Sequence, residues 1–296
     1  MKIYDCFMYF DEDLILDLRL NILNKFVDYF VIVESTFTHK GNKRNLNFKI
    51  DNFPEYKNKI IYLVYNEEPK NIEEIKENDS ENRKSEKYIW NAIKRENGQR
   101  NYLNNGIINS NNRDLILLSD IDEIPNLSNV DLSKINQKII LFKQNMFYYK
   151  FNLKVPNLIW TGTKACKKKD FVNPQWLRDV KDRKYPFYRI DTIFSKKKFR
   201  DVMVVNNGGW HFTNIKTPKE IKYKLESYLH HREFDLSPLS EKDIGELINS
   251  KKAIYDLTAD KRLHKFGKGR DLEKIDINKL PNYIRENKDK YKDWLD

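Results

Sequence analysis

An uninterrupted apolar run, Leu115-Ile116-Leu117-Leu118, breaks at Ser119 and is followed at once by three carboxylates, Asp120, Asp122 and Glu123. Such a run fits a short strand buried on both faces, as in the parallel layer of an α/β sheet. Pro125 has no N–H to give to a ladder, so the strand cannot continue through a sheet interior. Open α/β sheets bind ligands outside the carboxyl ends of their strands, and this acidic corner stands at such an end. Carboxylates crowded there repel one another unless a cation separates them. Their hard oxygens suit Mg2+ or Mn2+, which need only one or two protein carboxylates when phosphates complete the shell. An acidic surface turn is the simpler alternative; a cluster directly after a buried strand argues for the metal site.

The chain before this corner supports an α/β layer. Lys2–Phe10 reads as a strand, and Asp11-Glu12-Asp13 opens a helix with the negative charge its N-terminus favours. Leu14, Ile15, Leu18, Ile22, Leu23 and Phe26 give that helix an apolar face, and Tyr29–Val33 is a second buried strand. Strand, helix and strand in such short compass make a βαβ unit, so the expected fold is a mixed, mainly parallel sheet flanked by helices. Glu34-Ser35-Thr36 then falls on the same edge as Asp120. Asn42–Tyr56 reads as a loop with a short strand, Ile60–Val64 as a strand, Asn66–Lys84 as a polar stretch and Ser85–Leu103 as a helix. On that helix Arg95 with Gln99, and Glu96 with Arg100, are i,i+4 pairs, which periodicity alone assigns to a solvated face.

After the corner, Lys138–Lys143 and Met146–Asn152 alternate like two paired strands, and Phe147, Tyr148, Tyr149 and Phe151 read as core. Val202–Val205 is another buried strand, ending in Gly208-Gly209-Trp210-His211. The glycines permit unusual backbone angles beside a ligand, and His211 at a strand end is a metal ligand or a structural residue on equal terms. Thr217-Pro218-Lys219-Glu220 starts a helix expected to run to about His231, exposing Lys224, Ser227 and His230. Further helices are expected over Glu241–Ala253 and Leu280–Leu295. No repeat or Gly/Ser linker interrupts the chain, so it divides most simply into a catalytic domain, 1–235, and a helical extension packed on it, 236–296.

A content of 40% apolar residues supplies a substantial core, and a net charge of +11 favours anionic partners: nucleotide phosphates, nucleic acid or an anionic membrane surface. No apolar run reaches the roughly 20 residues a transmembrane helix needs, and no targeting core follows Met1. Cys6 and Cys166 lack metal-ligand spacing and read as reduced packing residues. These features predict a cytoplasmic protein, with peripheral contact to an anionic membrane as one use of the charge.

Six ordered blocks carry a family resemblance: Ile3-Tyr4-Asp5-Cys6-Phe7, Phe30-Val31-Ile32-Val33-Glu34-Ser35, Arg95-Glu96 with Gln99-Arg100, Ser119-Asp120-Ile121-Asp122-Glu123-Ile124-Pro125, Gly209-Trp210-His211-Phe212 and Lys224-Leu225-Glu226-Ser227. On these the chain resembles glycosyltransferase family 17, which includes the N-acetylglucosaminyltransferase that bisects glycoprotein glycans. The resemblance implies a GT-A fold, Rossmann-like, and inverting transfer from a nucleotide sugar, UDP-N-acetylglucosamine, with Mn2+ or Mg2+. Asp120-Ile121-Asp122 looks like the family's Asp-x-Asp motif, so Asp120 and Asp122 would hold the metal against the diphosphate. His211 would be a late metal- or phosphate-binding histidine. Arg95, Gln99 and Arg100 would face the nucleotide or stabilise the site, and Glu34, Asp120 and Lys224 would join in binding the donor. The acceptor would be a glycan or glycolipid, with no nucleic acid expected. Trp160 to Arg200 matches the family pattern only loosely, and that segment should help shape the acceptor site, so acceptor identity does not carry over.

Inversion needs a carboxylate to take the acceptor proton. Glu123, Asp179 and Asp191 are the candidates, with Glu226 behind them. Two other classes stay open: a two-metal nuclease or phosphohydrolase using Asp120, Asp122 and Glu123, and a non-catalytic module that binds nucleotide sugar or glycan.

Overall fold

The computed structural model describes residues 1–186, 188–255 and 269–296. Strand β1 (Ile3–Tyr9), helix α1 (Asp13–Leu23) and strand β2 (Tyr29–Ser35) form the expected βαβ unit, with β1 and β2 parallel. Of the expected apolar face Ile15, Leu18 and Leu23 are buried along α1 and Leu14 and Ile22 half-buried, while Leu16 and Leu20 are buried beside them. Strand β3 (Ile60–Tyr65) pairs in parallel with β2. Helix α2 (Glu81–Tyr102) starts one turn earlier than its apolar pattern does, because the Ser80 hydroxyl accepts from the Arg83 N–H and caps it. Residues 42–56 form two short 3-10 turns, Ile50–Asn52 and Pro54–Tyr56, in place of the expected strand. Strand β4 (Leu115–Asp120) then lies parallel to β1, and the expected parallel half of the sheet is complete.

Past β4 antiparallel pairings enter, and the sheet is mixed. Strand β5 (Glu123–Pro125) follows at once, then β6 (Ile139–Tyr148) and β7 (Leu153–Lys167). The short link between β6 and β7 forces them antiparallel, and β7 is also antiparallel to β4. Helix α3 (Pro174–Asp179) precedes β8 (Val202–Val205) and β9 (Gly209–Thr213), both parallel to β6. The pairing order is β3-β2-β1-β4-β7-β6-β9-β5. The two paired strands expected over 138–152 are one strand, β6; register shifts near Leu141 and Asn145 produce the break in alternation that resembles a turn.

That order imposes a curl. β5 stands at the far end from β3, beyond β4, β7, β6 and β9, yet only Ile121 and Asp122 separate it from β4. Such a link spans about 10 Å at most. The β9–β5 edge must therefore swing back beside the end of β4, and the corner 120–123 is the seam where the sheet meets itself. Arg19 of α1, without exposed surface, donates to the carbonyls of Asp120 (3.3 Å), Ile121 (3.1 Å) and Glu123 (2.9 Å), while Asp5 of β1 takes its other nitrogens at 2.5 and 2.7 Å.

Alternate residues of β2 point to opposite faces. Phe30 and Ile32 join the core beneath α1, whereas Val31 and Val33 join a second core with Cys6, Cys166, Leu103 and Leu177. Both cysteines are free and buried, as expected. Helix α4 (Pro218–Ser227) has the predicted capping box at Thr217 and Glu220, but it stops four residues early. Tyr228 turns extended, and a separate short helix α5 (His231–Leu236) follows. Helix α6 (Glu241–Asn249) packs on this pair through Ile244 and Phe234. The later helix shrinks to α7 (Asn282–Glu286), and strand β10 (Glu273–Lys274) pairs with β7. Leu280, Ile284 and Tyr291 enter the core beneath α1.

Candidate active site

A cleft of about 250 Å3 opens at the seam. Its walls come from the end of β1 with Glu12, from Ser35 and the loop to His39, from Glu96 and Gln99 of α2, from Asp120, Ile121 and Asp122, from His211 and Thr213, and from α4 with Lys224 and Ser227. The topology explains the gathering. The β1, β2 and β4 residues sit at carboxyl ends of parallel strands, and the β5–β9 register sets His211 opposite Glu123.

The two motif aspartates have different surroundings. Asp120 Oδ2 accepts from Arg178 Nη2 at 2.7 Å, whereas Oδ1 is shielded, lies 3.5 Å from Arg100 Nη2 and has no hydrogen-bond partner. Asp122 Oδ1 lies 3.4 Å from His211 Nε2, and its Oδ2 lies 3.8 Å from Lys224 Nζ and 3.5 Å from the Thr213 hydroxyl. Withdrawal from water pushes both carboxyls up, but neighbouring cations outweigh it. Arg178 and Arg100 hold Asp120 below its ordinary range, and His211 and Lys224 do so for Asp122. His211 and Lys224 respond in kind: burial disfavours their charges, but Asp122 foremost among the acids raises both.

Glu123 is fully buried and fully engaged. Its Oε1 accepts from Trp160 Nε1 (2.6 Å) and Arg178 Nη2 (3.1 Å), and its Oε2 from Arg178 Nη1 and the Asp120 N–H, both at 2.8 Å. Gly162 makes room for this cluster, since a Cβ there would meet Gln144 Oε1 at 1.8 Å and Glu123 Cβ at 3.0 Å. The sequence does not single out Arg178 and Trp160, because they lie in the segment that resembles the family only loosely. Arg19 was missed because it reads as an ordinary helix position.

The remaining expected residues divide. Gln99 lines the cleft and holds His39, Oε1 to Nε2 at 3.1 Å. Burial lowers His39, disfavouring its charged form. Lys224 and Ser227 turn inward, Ser227 being buried, while His230 alone of that trio is exposed and pairs with Glu233. Arg95 stands behind the wall, on Glu68 and the carbonyls of His39 and Lys40; Arg100 is also behind it, on Glu96 and Gln175. The Glu96–Arg100 pair forms at 2.7 Å, but on a buried face instead of a solvated one.

Glu34, expected at the nucleotide, does not line the cleft. Its carboxylate is consumed by Arg44, the Asn47 and Phe48 N–H groups and the Tyr62 hydroxyl, because the adjoining loop folds over it. Of the candidate bases, Asp179 bonds Gln175 and Lys197, and Asp191 sits on the surface between Arg189 and Lys198. Neither they nor Glu123 line the cleft, and Glu226 is also outside it. Gly209 takes the unusual backbone angle, φ +135°, and a Cβ on it would meet the Ile124 carbonyl at 2.1 Å, so close packing already requires glycine there.

Among the described residues no three His, Cys, Asp or Glu side chains form a ready-made cation cage. Two adjacent carboxylates, one with a shielded oxygen lacking any hydrogen bond, nevertheless fit Mg2+ or Mn2+ delivered with a diphosphate, since phosphates complete such shells. No curated protein matches the chain significantly. The family model for glycosyltransferase family 17 matches residues 1–296, the whole chain. A cleft at the carboxyl ends of parallel strands, floored by an Asp-x-Asp corner, stands within that match, and the chain belongs to glycosyltransferase family 17 and is a glycosyltransferase.

Proposed function

We propose that the protein is an inverting, divalent-metal-dependent transferase of the GT-A type, moving N-acetylglucosamine from its UDP donor to a glycan hydroxyl. One observation carries the reading: Asp120 and Asp122 flank the seam at the cleft floor with Lys224 and His211 beside them. The parallel strands that precede an antiparallel β7 support the GT-A type.

In this reading Asp120 and Asp122, with His211 adjacent, hold the cation. Bound Mn2+ or Mg2+ supplies Lewis-acid neutralisation of the leaving diphosphate. Lys224 stabilises the charge developing there as the glycosidic bond to phosphate breaks. Arg178 and Glu123 fix the corner: the Asp120 N–H and carboxylate are both tied to that pair. Gln99 orients His39 on the opposite wall. Among the described residues four carboxylates line the cleft, Glu12, Glu96, Asp120 and Asp122. With the aspartates on the cation and Glu96 on Arg100, Glu12 is left to take the acceptor proton. Its Oε2 is fixed by the Phe10 and Asp11 N–H groups.

The test is UDP release from a panel of nucleotide sugars with Mn2+, Mg2+ or EDTA. Release from the N-acetylglucosamine donor is expected, abolished by EDTA and reduced about 100-fold or more in Asp122→Ala. Glu12→Gln should lower release while donor-induced thermal stabilisation persists. Metal-independent release, or full activity in Asp122→Ala, would overturn the reading.

A further inference from the structure

The stretch comprising Lys181–Pro186 and Tyr188–Arg200 is built inside out. Thr192 is buried, accepting from Arg200 Nε at 2.7 Å and donating to the Arg189 carbonyl at 2.6 Å; Tyr185 is buried under the Arg189 guanidinium. Around these anchors the large apolar side chains face outward. Tyr188 is 69% exposed, Ile190 67%, Ile193 67% and Phe194 84%. A loop at rest in water reverses this arrangement, and clustered exposed apolar side chains mark an interaction surface.

The same stretch carries eight basic and two acidic side chains, a net charge of +6 out of the chain's +11. Asp191 is satisfied by Arg189 and Lys198, and Lys197 by Asp179. Lys181, Arg183, Lys184 and Lys196 are exposed, and no ion pair joins them to another described residue. Aromatic and aliphatic tips ringed by uncompensated cations combine the two requirements for seating on an anionic bilayer: shallow apolar insertion and attraction to acidic headgroups.

We infer that this loop docks the protein on an anionic lipid surface. The inference is independent of the donor and metal assigned above. The loop is tied to the active site, however. It continues directly from α3, whose Arg178 grips Asp120 and Glu123, and the Lys196 and Lys197 carbonyls accept from Trp176 Nε1 (2.7 Å) and the Lys181 N–H (2.8 Å). Docking would thus hold the cleft beside the lipid surface.

The experiment is flotation of the full chain with vesicles of phosphatidylcholine alone, or of phosphatidylcholine and phosphatidylglycerol in equal parts. Binding only to the anionic vesicles, weakened by about 0.5 M salt, is expected. Ile193→Ser/Phe194→Ser should cut the partition coefficient roughly tenfold or more. Arg183→Gln/Lys184→Gln/Lys196→Gln should cut it roughly fivefold per cation removed. All altered side chains are exposed, so both variants should keep the wild-type thermal midpoint and donor hydrolysis. Absence of wild-type flotation, or flotation unchanged in both variants, would overturn the inference. So would a self-associating wild type whose oligomer the Ile193/Phe194 variant dissolves, since the patch would then serve a second copy of the chain.

Discussion

Arg19 donates its guanidinium to the Asp120, Ile121 and Glu123 carbonyls while Asp5 balances its charge, and neither Arg19 nor Asp5 has exposed surface. A buried charge is tolerated only when paired and fully hydrogen-bonded. Arg19→Ala would leave Asp5 unpaired and the corner carbonyls unmet. Urea unfolding should show a loss of about 3–5 kcal/mol. Arg19→Lys should recover little, because one ammonium cannot span the carboxylate and three carbonyls that the planar fork reaches. A loss below about 1 kcal/mol for the alanine variant would mean the corner holds its shape without the clamp. At this scale the sequence marked the carboxylates but not their support. Asp120 and Asp122 stand out by their position after a buried strand. Arg19 and Arg178 look like any helix arginine until the fold brings them to the corner.

The loop after β2 lines the cleft with His39, and helix α5, which does not line it, carries His231. Burial lowers both histidines from the ordinary 6.5. Below that pH the unfolded chain takes up protons that these folded sites exclude, so stability falls as pH decreases through the range beneath 6.5. His211 acts oppositely. Its raised value makes a stabilising contribution that is complete below 6.5 and fades as pH rises through its folded value. Together the three predict a stability maximum near pH 6.5. His231→Phe should flatten the acid limb and leave the alkaline limb unchanged in thermal scans. An acid limb identical to the wild type would exclude His231 as a source. Element boundaries here were only partly legible. The capping box at Thr217 and Glu220 announces the start of α4, but nothing local announces its end. There Ser227 is buried and its carbonyl accepts from the Lys40 N–H at 3.2 Å, a tertiary contact with the loop that bears His39.

On the scale of the whole molecule, the C-terminal segment is part of the principal core. Tyr291 has no exposed surface, meets Phe151 edge-on at 5.4 Å and donates to Asp17 Oδ2 at 2.9 Å. Tyr291→Ala should cost about 3–5 kcal/mol in urea unfolding, as for other buried aromatics. A single transition with that loss would show one cooperative unit from α1 to the C-terminus, whereas a separate early transition would show an extension that melts alone. Local periodicity by itself determined the βαβ unit, the buried strand β4, the place of strand β8 (though Val204 is exposed on it) and the acidic corner, because these depend on side-chain spacing within a few residues. The curl of the sheet, the delivery of His211 by β9, the loss of Glu34 and Glu123 to interior bonds and the outward Asp191 were decided by tertiary structure. Each depends on which distant strand or loop lies alongside, and spacing along the chain does not encode that partner.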